Sequence, residues 1–388
     1  MINAVRRTLA LGLLIAPLTG CDATGGPVGT EHDDASSPSA SHGDSEGDAS
    51  SDDTGALDGG REEDDARDGA APDSDGGDAS AEGRARDSRS ANAADAALSG
   101  PRVDSKDPQL YELALDPHML DPGTVDSLST QYAQLDTRTV SLGKLVIFLP
   151  GANNVPRDWR DHGRKLAEFG FHVLIPHYNN RWSSNDTCTG MGNACADNTR
   201  WEALTGEDSS SAIAIARADS AEGRVVTMIK HLMSANAAGD WGYYLAGEQL
   251  AYGKIVIAGI SHGAASAGMY AARRPFARNV MHSSGPAGSS SGTKMTPLSE
   301  WYAFAHTADD AYSAIIASWS SFAIPGQPTS IDGKMAPYGN SHRLITSASS
   351  TYPHGSVVVH SSSPKDAAGK YLFEEAWRYL YGVSASAL

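Results

Sequence analysis

From residue 145 onward, apolar runs of strand length alternate with stretches of helical pattern, and this alternation restricts the fold more than any other property of the chain. Strands are predicted over 145–149, 171–175, 255–258, 279–282, 301–305 and 343–346. Helices are predicted over 157–169, 222–233, 263–272, 309–320 and 366–380. The run Leu145-Val146-Ile147-Phe148-Leu149 has no polar residue at alternate positions, so both of its faces must be buried. Strands buried on both faces and separated by helices line up in parallel, with the helices covering the two sides. The expected class is therefore α/β. No internal repeat interrupts the pattern.

Composition decides where this domain starts. Residues 22–100 hold 21 acidic and 5 basic side chains and contain no Phe, Trp, Tyr or Ile. Such a segment cannot bury enough apolar surface to offset the entropy of ordering. It carries almost all of the chain's formal charge of −17. The remainder, 101–388, has 26 acidic and 23 basic residues, a near-neutral balance. That balance excludes the basic footprint of a nucleic-acid-binding protein, so no nucleic-acid partner is expected. A core of this length is large enough to stand as one domain.

Residues 1–20 have the pattern of an export segment: Arg6 and Arg7, then an apolar run too short to span a bilayer. The run ends in Leu18-Thr19-Gly20-Cys21, which resembles the lipobox of bacterial lipoproteins. That resemblance implies lipidation of Cys21 and an exported protein anchored to a bacterial membrane by its N-terminus, on the periplasmic or cell-surface side. Residues 21–104 are then an acidic tether, extended by charge repulsion. In an oxidising compartment Cys188 and Cys195 are expected to form a disulfide. A metal site there would need further ligands, and the intervening loop has no His. No metal and no cofactor are expected anywhere in the chain.

The pattern G-x-S-x-G occurs three times. The copy at 43–47 lies in the acidic segment, and the copy at 288–292 has no strand before it. Only Gly259-Ile260-Ser261-His262-Gly263 follows a buried strand and opens a helix. A tight strand-to-helix turn pushes the serine Oγ out of the sheet edge, and small neighbours leave room for it. The helix N-terminus also offers N–H groups to a developing oxyanion. On these residues the chain resembles the α/β-hydrolase superfamily over roughly 129–388, and in particular its exported bacterial esterase- and lipase-like members. The resemblance implies a mostly parallel sheet of about eight strands flanked by helices, and a Ser–acid–His triad in that chain order.

Within that frame Ser261 is the nucleophile. The acid is Asp309 or Asp310, which follow the strand at 301–305. Asp309 is preferred, because Asp310 is better placed to start the following helix. Asp332 is a weaker third. Of the later histidines, His354 in Tyr352-Pro353-His354-Gly355 lies past a strand and is preferred over His342 and His360. The oxyanion donors are the N–H of His262 and that of Ala152 or Asn153, where the superfamily often carries further glycines. His262 itself is not expected to act as base. The stretch 177–208 reads as a long irregular, cap-like insertion over the site. His177, Tyr178 and Trp182 in it either line a pocket or form local core, as does Trp201. The expected reaction is hydrolysis of a small-molecule carboxylic ester through an acyl-enzyme. Amide or polyester hydrolysis on the same triad, and a non-catalytic surface binding module on the same scaffold, stay open. Oligomeric state is not encoded in any feature of the sequence.

Overall fold

The computed structural model describes residues 100–182 and 186–383. Cys21 and most of the acidic tether lie outside the described residues. Nine strands form one sheet: β1 (Leu110–Leu115), β2 (Gln131–Asp136), β3 (Leu145–Leu149), β4 (His172–Ile175), β7 (Ile255–Ile260), β8 (Arg278–His282), β9 (Trp301–His306), β10 (Thr329–Ser330) and β11 (Arg343–Thr346). β5 (Leu245–Ala246) and β6 (Gln249–Leu250) make a separate hairpin. The order across the sheet is β1-β2-β4-β3-β7-β8-β9-β11-β10. β2 runs antiparallel to both neighbours, and every other pairing is parallel. The sheet is thus mostly parallel, as expected, and extends to nine strands because the two-residue strand β10 adds to one edge.

The unbroken apolar strands follow from a core on each face. Leu145, Ile147 and Leu149 pack into one cluster, with the helices Ala221–Ala235 and His262–Arg273. Val146 and Phe148 point into the other, with the helices Arg160–Glu168 and Glu374–Tyr381. β7 and β9 divide their residues in the same way. Period-two alternation therefore carries apolar side chains to both sides.

Several elements differ from the sequence expectation. β1 and β2 escape hydrophobic patterning because β2 buries Gln131, Gln134 and Asp136. Gln134 donates from Nε2 to Glu112 and to the Arg160 carbonyl. The last helix starts at Glu374, not 366, because Asp366 binds the N–H groups of Ala368 and Lys370 in a local turn. The stretch 177–208 is not irregular throughout: it contains the helix Asn193–Thr205, ended by Gly206 in the left-handed region at φ +72°. The Cys188–Cys195 disulfide is formed at the start of this helix. Among the described residues, no helix is long and apolar enough to cross a membrane.

Candidate active site

β7 ends at Ile260, and the helix His262–Arg273 begins two residues later, so Ser261 must reverse the chain alone. It does so at φ +56°, ψ −125°, a conformation that L-residues rarely adopt. Holding it costs on the order of 1–3 kcal/mol. The flanking glycines make the turn sterically feasible. A Cβ on Gly263 would meet the Leu149 carbonyl oxygen at 2.1 Å, and one on Gly259 would meet Gly263 backbone at 2.6 Å. The Ser261 N–H donates to the His282 carbonyl at 2.9 Å, which pins the turn to the end of β8.

The next residue on β8's exit, Ser283, donates its hydroxyl to the His354 carbonyl at 2.6 Å. Ser261 and His354 are thus both fastened to the dipeptide His282-Ser283. His354 sits in the single helical turn Pro353–Ser356 beyond β11. Its Nδ1 lies 2.7 Å from Oδ2 of Asp309, which is buried past the end of β9. The other Asp309 oxygen accepts the Ala311 N–H at 2.9 Å, which delays the following helix to Tyr312. Burial alone would push the Asp309 carboxyl up. The hydrogen bonds from His354 and Ala311 outweigh it and hold the group below the usual aspartate value. Asp309 is therefore ionised at neutral pH and fixes the proton of His354 on Nδ1. Its neighbour Asp310 is exposed.

The other candidate residues lie elsewhere. Asp332 accepts from Thr346 and from both the N–H and hydroxyl of Ser347. His342 stacks on Tyr302 at 4.0 Å, and His360 bonds Ser362. Neither contacts Asp309.

The loop after β3 turns at Gly151-Ala152-Asn153-Asn154, with Asn153 at φ +59° and the Asn154 N–H closing onto the Gly151 carbonyl. Asn180 braces this loop by donating from Nδ2 to the carbonyls of Gly151 (2.7 Å) and Asn154 (2.9 Å). Tyr178 adds a hydroxyl to the Pro150 carbonyl at 3.3 Å. Neither bracing role was legible in the sequence. Tyr178 is fully buried and His177 nearly so. His177 accepts the Ser129 N–H on Nδ1, and burial pushes it down to about 4. These two side chains are thus committed to the scaffold. Trp182 differs, because its ring packs edge-on against His262 with centroids 5.1 Å apart.

Sequence reasoning also passed over Arg200, on the helix Asn193–Thr205. It reaches the elbow helix and donates from Nη1 to the His262 carbonyl (3.0 Å) and to Ser266 Oγ (2.6 Å). Its guanidinium lies over the Trp182 ring at 5.3 Å. Burial lowers it to about 10, so it stays charged at neutral pH. Among the described residues, no group of three or more His, Cys, Asp or Glu is arranged to hold a metal ion.

No protein-family model and no curated protein matches the chain. Among solved structures it is similar to esterase 2 of Thermogutta terrifontis phosphoramylated by tabun, at 12% identity and a TM-score of 0.35, over 70% of this chain and 91% of that one. It is similar to acetyl xylan esterase from Aspergillus awamori at 11% identity and a TM-score of 0.37, over 62% of this chain and 93% of that one. It is also similar to esterase B from Lactobacillus rhamnosis, inhibited by a tributyrin phosphonate, at 11% identity and a TM-score of 0.38, over 77% and 93%.

Proposed function

We propose that this chain is a serine hydrolase of carboxylic esters, with Ser261 as nucleophile, His354 as general base and acid, and Asp309 as the group that orients His354. The observation that carries the reading is the 2.7 Å bond from Asp309 to His354 Nδ1 at the same sheet edge as the strained Ser261 turn. With its Nδ1 proton held by Asp309, His354 is left with Nε2 free to accept a proton. Ser261 Oγ attacks the ester carbonyl carbon as its proton passes to Nε2. The oxyanion is stabilised by the N–H of His262 and by that of Ala152 or Asn153. Collapse expels the alcohol, which takes the proton back from His354. Water then attacks the acyl-enzyme with His354 again as base, releasing the acid and restoring Ser261.

Turnover of p-nitrophenyl butyrate tests this. Ser261→Ala is expected to lower kcat by about 10⁴-fold or more with the folded state intact. Undiminished turnover in that variant refutes the reading. We further propose that the protein is exported and held at a bacterial membrane by lipid on Cys21, with the acidic segment as spacer. Cys21→Ser is then expected to move the protein from the membrane to the soluble fraction, and an unchanged distribution contradicts the anchor.

A further inference from the structure

We propose that Arg200 selects esters carrying a second, anionic group, so that the favoured substrates are half-esters of short dicarboxylic acids whose free carboxylate docks on its guanidinium. This rests on the serine hydrolase reading for the reaction, but not for the binding.

The argument starts from which donors find acceptors. Among the described residues, every hydrogen bond of the Arg200 guanidinium comes from Nη1: to the His262 carbonyl, to Ser266 Oγ, and to His262 Nδ1 at 3.4 Å. Nε and Nη2, with three N–H groups between them, meet no acceptor among the described residues. Among the described residues, no carboxylate lies within ion-pair distance. Asp197, one turn back on the same helix, attracts the charge only from farther away.

The neighbours deepen the imbalance. Because His262 Nδ1 accepts from Arg200, the proton of neutral His262 sits on Nε2, which is buried and meets no protein acceptor. Trp182 Nε1, a donor only, is buried and equally unmet. Among the described residues, three side chains packed on one another therefore present unmet donors and no unmet acceptor. Leaving such groups unpaired is costly, and a charge costs most. The guanidinium also sits beside the N-terminus of the elbow helix, where a cation is disfavoured. Stability does not account for that placement, whereas recognition of an acceptor-rich anion does.

The position also fits the chemistry. The Arg200 nitrogen bonds the carbonyl of the residue after Ser261, so it lies within about 10 Å of the Ser261 Cα. That span matches an acyl carbonyl at the nucleophile and a carboxylate a few methylenes away. A guanidinium fork is suited to a carboxylate in two-point contact. Half-esters of four- to six-carbon diacids are the class that this spacing admits.

The test compares mono-p-nitrophenyl glutarate with the neutral p-nitrophenyl butyrate, and measures glutarate binding separately by calorimetry. Wild type is expected to prefer the anionic ester and to bind glutarate. Arg200→Met is expected to lower kcat/KM for the anionic ester by about 10- to 100-fold while the neutral ester changes by less than about threefold. Arg200→Lys, which keeps the charge without the fork, is expected to fall between them and covers the case in which Arg200→Met does not fold. An equal loss on both esters makes Arg200 a mere brace and overturns the proposal. So does a wild type with no preference and no glutarate binding. Glutarate binding that needs Arg200 in a protein that hydrolyses neither ester would instead sink the hydrolase reading and leave the anion site standing.

Discussion

Single positions around Ser261 are specified by contacts of a few tenths of an ångström. Gly263 has no room for a methyl group, since a Cβ there would lie 2.1 Å from backbone oxygen that cannot move without β3. Gly263→Ala is expected to cost about 3 kcal/mol or more, read as a lowered urea midpoint, whereas a wild-type midpoint would contradict the packing account. The two adjacent carboxylates offer a sharper contrast. Asp309→Asn is expected to lower kcat by about 10³- to 10⁴-fold, because the amide no longer fixes the proton of His354. Asp310→Asn, at an exposed position, is expected to stay within about twofold of wild type. Steady-state kinetics on one neutral ester checks both. At this scale the elbow was readable, because its chemistry is local: a strand, two glycines and a serine in five residues. Arg200, Asn180 and Ser283 were not. Each acts on a partner 29 to 71 residues away, at Gly151 for Asn180, at His354 for Ser283 and at Ser266 for Arg200, where the separation is 66.

Among the elements, the helix Asn193–Thr205 decides how the insertion works. Its sequence has no amphipathic period that marks it as a helix, so an irregular stretch was expected. Tertiary contacts supply what periodicity lacks. Ala203 and Leu204 enter the main core, and the Glu202 carboxylate accepts the N–H groups of Ser209, Ser210 and Ile215. The same helix carries Arg200 to the elbow and starts at the disulfide. Closing so short a loop is worth roughly 2–3 kcal/mol of unfolded-state entropy. Paired Cys188→Ser and Cys195→Ser substitution is therefore expected to lower stability by that amount in thermal melts, with the Asp309–His354 region unaffected. An unchanged melting temperature contradicts the staple. The strands β1 and β2 were missed for a related reason: β2 buries Gln131, which accepts the His177 N–H, Gln134, which donates to Glu112, and Asp136, which pairs with Arg138, and a pattern of apolar residues cannot register them.

For the molecule as a whole, both cores depend on histidines that are buried without charge. His162 and His282 both bond the Tyr381 hydroxyl at 3.2 Å, and His162 Nδ1 also accepts the Val359 N–H. His162 therefore donates from Nε2 to the Tyr381 hydroxyl, which His282 shares. His282 in turn holds the Ser261 N–H through its carbonyl. Burial pushes His282 down to about 3 and His172 and His177 to about 4, and holds His162 and His262 well below the ordinary value. The unfolded chain therefore binds more protons than the native one between pH 6.5 and 4. Stability is full above the unfolded value and falls as pH drops through that window, by about 3 kcal/mol for each of His172 and His177. Urea titrations at stepwise pH are expected to show this decline, and His172→Gln is expected to flatten it. A midpoint independent of pH between those values would mean that these histidines are not held neutral.

The central claim is that the turn at residue 261 presents an activated serine. Labelling with a fluorophosphonate probe, followed by peptide mapping, tests it most directly, because only a serine whose proton can be taken by a base reacts readily. The account predicts a single adduct on Ser261, absent in Ser261→Ala and strongly slowed in His354→Ala. No adduct on the native protein, or one on Ser45 or Ser290 in the other two G-x-S-x-G copies, would contradict it.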